Sequence, residues 1–331
     1  MNNCILTVLI AAYNHENYIR QTLNGVLNQE TTYKFKIIIS DDFSIDNTKA
    51  IIQEYIARYP DKIIPLFNSR NIGLNETLKK AIPLIDTKYT CILGGDDYWI
   101  DDYKIANEVD YLESHPNTSY VHTGYKCWLE DCESWGEYKN QWEWKMPKER
   151  DDRLISFLNH DFTYYPCTST CCFITDVLIK CYRQNPQILD YTVGEGILVH
   201  AAMCMYGNTF HYIPDVTTVY RVRENSMSHY SDIGELLNYK MGYPKRKIIT
   251  FQLFNIKYDK YKHVIKKDLD NLFILAYSRS AIGVYKKGIQ EIGINDKLLK
   301  KYNLFCSNRF CTFLYYCFLK ARGFLILFFK S

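Results

Sequence analysis

Short apolar runs alternate with amphipathic stretches through the first hundred residues. Ile5 to Ile10 is a continuous apolar-rich run with β-branched residues, which predicts a buried parallel strand. Glu16 to Gln29 then sets Ile19, Leu23, Val26 and Leu27 at helical spacing. Phe35 to Ile39 repeats the strand signal, and the helix after it carries Ile51, Ile52, Tyr55, Ile56 and Tyr59 before Pro60 stops it. Ile63 to Phe67 predicts a third strand, Asn71-Ile72-Gly73 a turn, Leu74 to Ile85 a helix, and Tyr89 to Leu93 a fourth strand.

Strands that alternate with helices imply βαβ units, hence an α/β fold with helices on both faces of the sheet. In such sheets ligands bind beyond the carboxyl ends of the strands. Tyr13-Asn14, Asp41-Asp42 and Asp96-Asp97 each follow the end of a predicted strand. All three are therefore expected along one edge.

The pattern changes in the second half. Lys126 to Arg153 is rich in Trp and charge and reads as a surface excursion. An apolar run at Cys171 to Ile174, a helix near Gly196 to Tyr206 and a strand pair around Phe210 to Val222 follow, and beyond Tyr230 the periodicity is helical.

Composition narrows the class. Of 331 residues, 47% are hydrophobic and 23% charged, which provides a sizeable core and excludes wholesale disorder. No stretch reaches the roughly 18 uncharged apolar residues of a spanning helix, so a polytopic membrane protein is excluded. Met1-Asn2-Asn3-Cys4 carries no positive charge ahead of its apolar run, so no signal peptide is expected. The twelve cysteines are then expected to be free thiols in a reducing cytosol. Cys127, Cys132, Cys167, Cys171 and Cys172 have no zinc-site spacing.

The net charge of +3 hides a division. Lys245 to Ser331 holds 18 Lys and Arg against 5 Asp and Glu, so the body before it is acidic. Cys306 to Lys330 interleaves those charges with Phe310, Phe313, Leu314, Tyr315, Tyr316, Phe318 and Leu319. Basic and aromatic together is the composition of a segment that lies on an anionic membrane surface. A groove reader's interleaved polar surface is missing, so no nucleic-acid partner is expected.

Adjacent carboxylates raise one another's pKa unless a cation neutralises them, and a hard divalent ion shared with substrate phosphates is the usual remedy. Asp96-Asp97 after Gly94-Gly95 is such a pair; an N-terminal helix cap is its plainer reading. Asp46 and Ser44 read as a helix cap and a turn residue, whereas Asp41 and Asp42 stand at the strand exit. There is no GxxxxGK[ST] loop and no GxGxxG after the first strand, which removes support for ATP hydrolysis and dinucleotide-linked redox chemistry.

Five segments in order resemble the family 2 glycosyltransferases of GT-A fold: Thr7 to Asn14, Val26 to Gln29, Ile38 to Thr48, Asn71 to Asn75 and Gly95 to Trp99. The resemblance covers about the first 125 residues. It implies a nucleotide-binding, Rossmann-like mixed sheet flanked by helices over residues 1–230, with donor contacts in 1–125 and acceptor contacts in 126–230. A helical, basic extension would occupy 231–331.

The implied reaction is inverting transfer of a sugar from a nucleoside diphosphate, a UDP-sugar by preference, to a glycan hydroxyl. Ala11, Tyr13, Asp41, Asp42, Asp96 and Arg221 would bind the donor nucleotide, with Tyr13 flanking the base and Asp42 accepting from its N–H. Asp97 and His229 would ligate Mn²⁺ or Mg²⁺, and Arg223 is a second candidate for the diphosphate. Glu195, in Tyr191 to Leu198, occupies the place of the family's general base, with Glu where Asp is commoner. Gly94 stands where many members carry an acidic residue.

Together with the tail, the resemblance points to a lipid-linked acceptor in bacterial surface polysaccharide synthesis and to a cytoplasmic protein peripheral at the inner face of the membrane. A catalytically degenerate binding subunit is the alternative. A nucleotidyltransferase is a weaker one, because Ala11 to His15 is not a Gly-rich basic loop.

Overall fold

The computed structural model describes residues 4–164, 166–184, 195–223, 232–292 and 297–328. The chain forms two compact units, Met1–Arg223 and Glu224–Ser331.

The first unit opens with four strands joined by helices: β1 (Leu6–Ala12), α1 (Ile19–Leu27), β2 (Phe35–Asp41), α2 (Thr48–Arg58), β3 (Ile63–Phe67), α3 (Leu74–Ala81) and β4 (Tyr89–Gly94). These strands are parallel, in the order β3-β2-β1-β4. The chain runs outward from β1 to β3 and returns to lay β4 on the other side of β1. That reversal leaves a crevice at the carboxyl ends of β1 and β4. Register fixes its floor: Ala12 lies opposite Asp41, and Ala11 opposite Gly94.

Both sheet faces are covered, which is why these strands read as unbroken apolar runs. Val8, Ile10, Ile37, Ile39 and Leu93 pack against Ile19, Leu23 and Val26 of α1 and Ile51 and Ile52 of α2. Leu9 and Ile38 face the other way, onto Leu78 and Ala81 of α3.

The sheet then becomes mixed. β5 (Tyr98–Trp99), α4 (Lys104–Ser114), β6 (Thr118–Leu129), β7 (Ser134–Lys139), α5 (Arg150–Leu158), β8 (Cys171–Ile174), α6 (Thr175–Gln184), α7 (Glu195–Tyr206) and β9 (Thr209–Val222) complete the unit. β8 joins β4 to β6 with antiparallel pairing on both sides, β9 runs parallel to β6, and β5 closes the order beyond β9.

The Trp-rich stretch from Lys126 lies largely at the surface, as expected, but as regular structure: β6 continues to Leu129 and turns back as a mostly exposed β7, with Trp128 opposite Trp135. One expectation is corrected. The expected strand pair at 210–222 is one long strand, with register shifts where Ile213 gives way to Val216 past Pro214.

The second unit is helical among its described residues: α8 (Ile233–Leu253), α9 (Tyr258–Ser278), α10 (Ile282–Glu291), α11 (Lys297–Phe305) and α12 (Arg309–Phe328). Asp232 caps α8 by accepting from the Glu235 N–H at 2.9 Å. Aromatic rings fill the centre, with Phe251 stacked on Tyr261 and Phe273 edge-on to Tyr285 and Tyr315. Asp270 ties three helices together, accepting from Lys266 and from the hydroxyls of Tyr302 and Tyr315.

Candidate functional site

At the carboxyl ends of β1 and β2 the chain leaves the sheet in left-handed conformations, φ 54° at Asn14 and 62° at Phe43. Positive φ costs energy for side chains other than glycine, and its clustering at two adjacent strand exits marks a built loop pair. Hydrogen bonds hold the pair. The Asn14 N–H donates to Ser44 Oγ at 2.9 Å, and the Ile45 N–H donates to Asn14 Oδ1 at 3.0 Å. Asp46 braces the same junction, accepting from the N–H groups of Thr48 at 2.9 Å and Glu16 at 3.1 Å.

Asp41 and Asp42 divide the work. Asp41 is buried and accepts from the Ser44 hydroxyl, so its carboxylate shapes the loop. Asp42 is clamped by the next turn of chain. Its Oδ1 accepts from Asn68 Nδ2 and the Ile72 N–H, both at 2.9 Å, and its Oδ2 from the Gly73 N–H at 2.7 Å. Gly73 sits at φ 83°, a conformation glycine adopts without steric cost, which lets this N–H reach the carboxylate. One lone-pair direction on Oδ2 stays uncommitted among these bonds. Tyr13, at 41% exposure, is open beside the β1 exit.

The β4 exit closes tightly on β1. The Gly95 N–H donates to Ala11 O at 2.8 Å, which commits the Ala11 carbonyl to the turn. A Cβ on Gly95 would meet His15 Nδ1 at 2.6 Å and Ala11 O at 3.0 Å. Thr22 of α1 fastens the turn from below, its hydroxyl facing Gly95 O at 2.9 Å and Asp97 O at 2.7 Å. At Gly94 a Cβ would stand 2.9 Å from Asp96 Oδ1, so in this backbone a side chain there would press on Asp96.

Asp96 and Asp97 point to different surroundings. Asp96 is partly open, and Arg223 Nη2 donates to its Oδ2 at 2.5 Å, with His15 Nε2 3.7 Å away. Asp97 is buried, its Oδ2 accepting from Ser169 Oγ at 2.5 Å and its Oδ1 from the Arg221 N–H at 3.0 Å. Burial, reinforced by the charge on Asp96, pushes the Asp97 carboxyl up to about 8 against the pull of those donors. Burial also holds the His15 imidazole below its usual range, opposed by Asp96. Neither aspartate caps α4, because β5 intervenes.

Arg221, on β9, locks the far wall. Its Nη1 donates to Asp96 O at 2.6 Å, its Nη2 donates to Gln21, and its guanidinium lies 4.8 Å from the Tyr18 ring centre and 4.7 Å from that of Tyr98. Arg223 approaches the Tyr18 ring as well, at 5.1 Å.

The structure thus gathers Ala11, Tyr13, Asp41, Asp42, Asp96, Asp97 and Arg221 at one end of the sheet. Glu195 begins α7, and its side chain lies outside the described residues, as does the whole of His229. His122 is buried against Trp142 and Tyr212, and Thr123 is paired with Thr217 Oγ1 at 2.6 Å.

Ser169 and Asn68 were not singled out from sequence. Asn68 follows the end of β3, so the strand-exit rule that found the others applies to it. Ser169 carries no such signal. Among the described residues, Cys91, Glu108 and Cys172 bring metal-type ligand atoms within 4.8 Å of one another, but Glu108 is already paired with Lys104 at 2.5 Å.

Residues 7–171 match the family model for Glycosyl transferase family 2. An uncharacterized protein of Mycobacterium tuberculosis is 39% identical over 114 residues, 34% of this chain and 33% of that one. TuaG of Bacillus subtilis, a putative teichuronic acid biosynthesis glycosyltransferase, is 28% identical over 127 residues, 38% of this chain and 49% of TuaG. The chain therefore spans between a third and a half of the length of these curated relatives. Among solved structures, residues 1–349 of Staphylococcus aureus TarS in complex with UDP align with a TM-score of 0.59 at 15% identity, over 96% of this chain and 90% of that one. That likeness is one of fold. With a mixed sheet of this order and a matched segment running from β1 into β8, the chain belongs to the family 2 glycosyltransferases.

Proposed function

We propose that this protein transfers a sugar from a nucleoside diphosphate donor to a hydroxyl of a glycan acceptor, with inversion at the anomeric carbon. The observation that carries the reading is the convergence of three strand exits at the β1–β4 crevice. They bring an open aromatic ring (Tyr13), a clamped carboxylate (Asp42) and a two-carboxylate turn (Asp96-Asp97) to the same end of the sheet.

Each group has a role that its surroundings support. Tyr13 flanks the base. Asp42 keeps one acceptor direction, suited to the imide N–H of uracil, which favours a UDP-sugar. Asp41 acts through the loop it holds, and the ribose lies toward Asp96. Arg223 meets the diphosphate as a charge-assisted donor, and Arg221, whose Nη1 and Nη2 are held by Asp96 O and Gln21, serves the donor nucleotide by fixing the turn that faces it. Ala11 contributes backbone at the crevice floor.

The Asp96-Asp97 pair is a hard oxygen donor set of the kind Mg²⁺ and Mn²⁺ take. The burial that pushes Asp97 up to about 8 disfavours its anion, and a dication would offset that cost. Asp97, with His229, would hold such an ion, which would supply charge neutralisation for the departing nucleoside diphosphate. Transfer then needs one base. Glu195 takes the proton of the acceptor hydroxyl as its oxygen bonds to the anomeric carbon and the bond to the diphosphate oxygen breaks.

The acceptor is a lipid-linked glycan of the bacterial surface, and the protein works at the cytoplasmic face of the membrane. The basic C-terminal region and the likeness to TuaG support this.

One observation favours a second reading, a nucleotide-binding subunit without catalysis. Arg223 already neutralises Asp96, which leaves less charge for an ion. Release of nucleoside diphosphate from UDP-, GDP- and dTDP-sugars with Mn²⁺, measured without acceptor, separates the two. The transferase reading predicts slow release from one donor class, cut by a factor of about 10²–10⁴ in Glu195→Gln while donor still binds. Absence of release from every donor would leave the binding subunit.

A further inference from the structure

We infer that α12 is an interfacial anchor that lies in the plane of an anionic bilayer, with Phe310, Phe313, Leu314 and Phe318 entering the lipid. The four are 69%, 51%, 50% and 58% exposed, and their spacing of three and four residues sets them on one helix face. Cys317 and Ala321 extend the same face and are also exposed. The opposite face is already occupied: Thr312, Tyr315 and Leu319 are buried, with the Tyr315 hydroxyl fixed on Asp270 at 2.5 Å and its ring stacked 3.8 Å from that of Phe305. The exposed stripe is therefore surplus to the packing of its own unit. Leu304 on α11 adds a further open apolar side chain, at 63%.

Charge selects the occupant. From Lys297 to Phe328 the chain carries six Lys and Arg and no Asp or Glu. At 100° per residue, Arg309 and Lys320 fall within about 20° of one another, about three turns apart along one border of the apolar stripe, and both are exposed. An apolar stripe with a basic border is the geometry of a helix that dips into acyl chains while its cations meet anionic headgroups. A second copy of the chain fits poorly, because a two-fold contact would set the same uncompensated cations against each other. No helix among the described residues is long and apolar enough to cross a membrane. The inference deepens the proposed lipid-linked acceptor by naming the surface that meets the bilayer, yet it stands on α12 alone.

The test is co-sedimentation of the full chain, without nucleotide, with vesicles of phosphatidylcholine containing about 30% phosphatidylglycerol and with phosphatidylcholine alone. Binding is expected on the anionic vesicles and weaker on the neutral ones. Phe313→Ser with Phe318→Ser should weaken it at least about tenfold. Arg309→Gln with Lys320→Gln should cost about tenfold on the anionic vesicles and little on the neutral ones. The second pair changes only exposed cations and decides the matter should the first disturb folding.

A native chain that stays in the supernatant, or variants that pellet like the native chain, would overturn the anchor. So would a dimer in analytical ultracentrifugation that the Phe substitutions dissociate while vesicles capture nothing. Because no donor is present, these outcomes are independent of whether the crevice transfers sugar.

Discussion

The backbone N–H of Arg221 donates to Oδ1 of Asp97 at 3.0 Å, across 124 positions of sequence. The same residue returns its guanidinium to Asp96 O at 2.6 Å, so β9 and the β4 exit are stitched together twice. The second half of the first unit thereby sets the geometry of a turn that the first half supplies. Arg221→Lys keeps the charge but cannot span Asp96 O and Gln21 or lie flat between Tyr18 and Tyr98. It should lower the unfolding free energy by about 2 kcal/mol in urea titration and weaken nucleoside diphosphate binding with it.

Asp42 makes a sharper case. Its carboxylate is the partner of the Ile72 and Gly73 N–H groups, and Asp42→Ala leaves both donors without it. The expected loss is about 2–4 kcal/mol of stability. Asp42→Asn keeps the shape but turns an amide N–H₂ toward the donors or toward the base. It should therefore bind UDP more weakly while retaining more stability than the alanine variant, a difference that paired melting and binding curves read directly.

Much of this edge was legible in the chain because two local rules agreed. The alternation from Ile5 to Leu93 gave the strands, since faces buried on both sides demand continuous apolar runs. The polar pairs after those runs gave the crevice. The second half resisted for physical reasons. β6 and β9 are long strands whose outer halves are only part-buried, so apolar and polar residues mix in Lys126 to Leu129 and Thr209 to Asp215 without the unbroken runs of the first four strands. The partnership of Ser169 with Asp97 is a tertiary contact that no local spacing encodes.

Gly95 tests how tight the crevice floor is. Gly95→Ala drives a methyl to within 2.6 Å of His15 Nδ1 and 3.0 Å of the Ala11 carbonyl. The backbone atom cannot swing aside, so the variant should lose about 1–3 kcal/mol, measured as a lowered urea midpoint, and should displace His15 from Asp96.

Acid should expose two buried imidazoles. Burial lowers His200 to about 3 and holds His122 well below its ordinary value, so both are neutral in the folded protein and take up protons when unfolded. Their contribution is complete above about pH 6.5 and is lost as pH falls from there toward 3. Each group alone gives a slope of about 1.4 kcal/mol per pH unit in that window. His200→Phe should flatten the fall in melting temperature between pH 6.5 and 5, whereas a pH-independent melting temperature over that range would refute the assignment.

Donor binding in the β1–β4 crevice, with a divalent cation at Asp97, underlies the proposed transfer. Its most direct test is the thermal shift of the full chain with UDP, GDP and dTDP, with and without Mn²⁺, for the native protein and for Asp97→Asn. At a hundredfold excess over Kd, binding should stabilise the native fold by about 2.7 kcal/mol. A shift with UDP is expected that requires Mn²⁺ and disappears in Asp97→Asn. No shift with any nucleotide, or an equal shift in the variant, would contradict it.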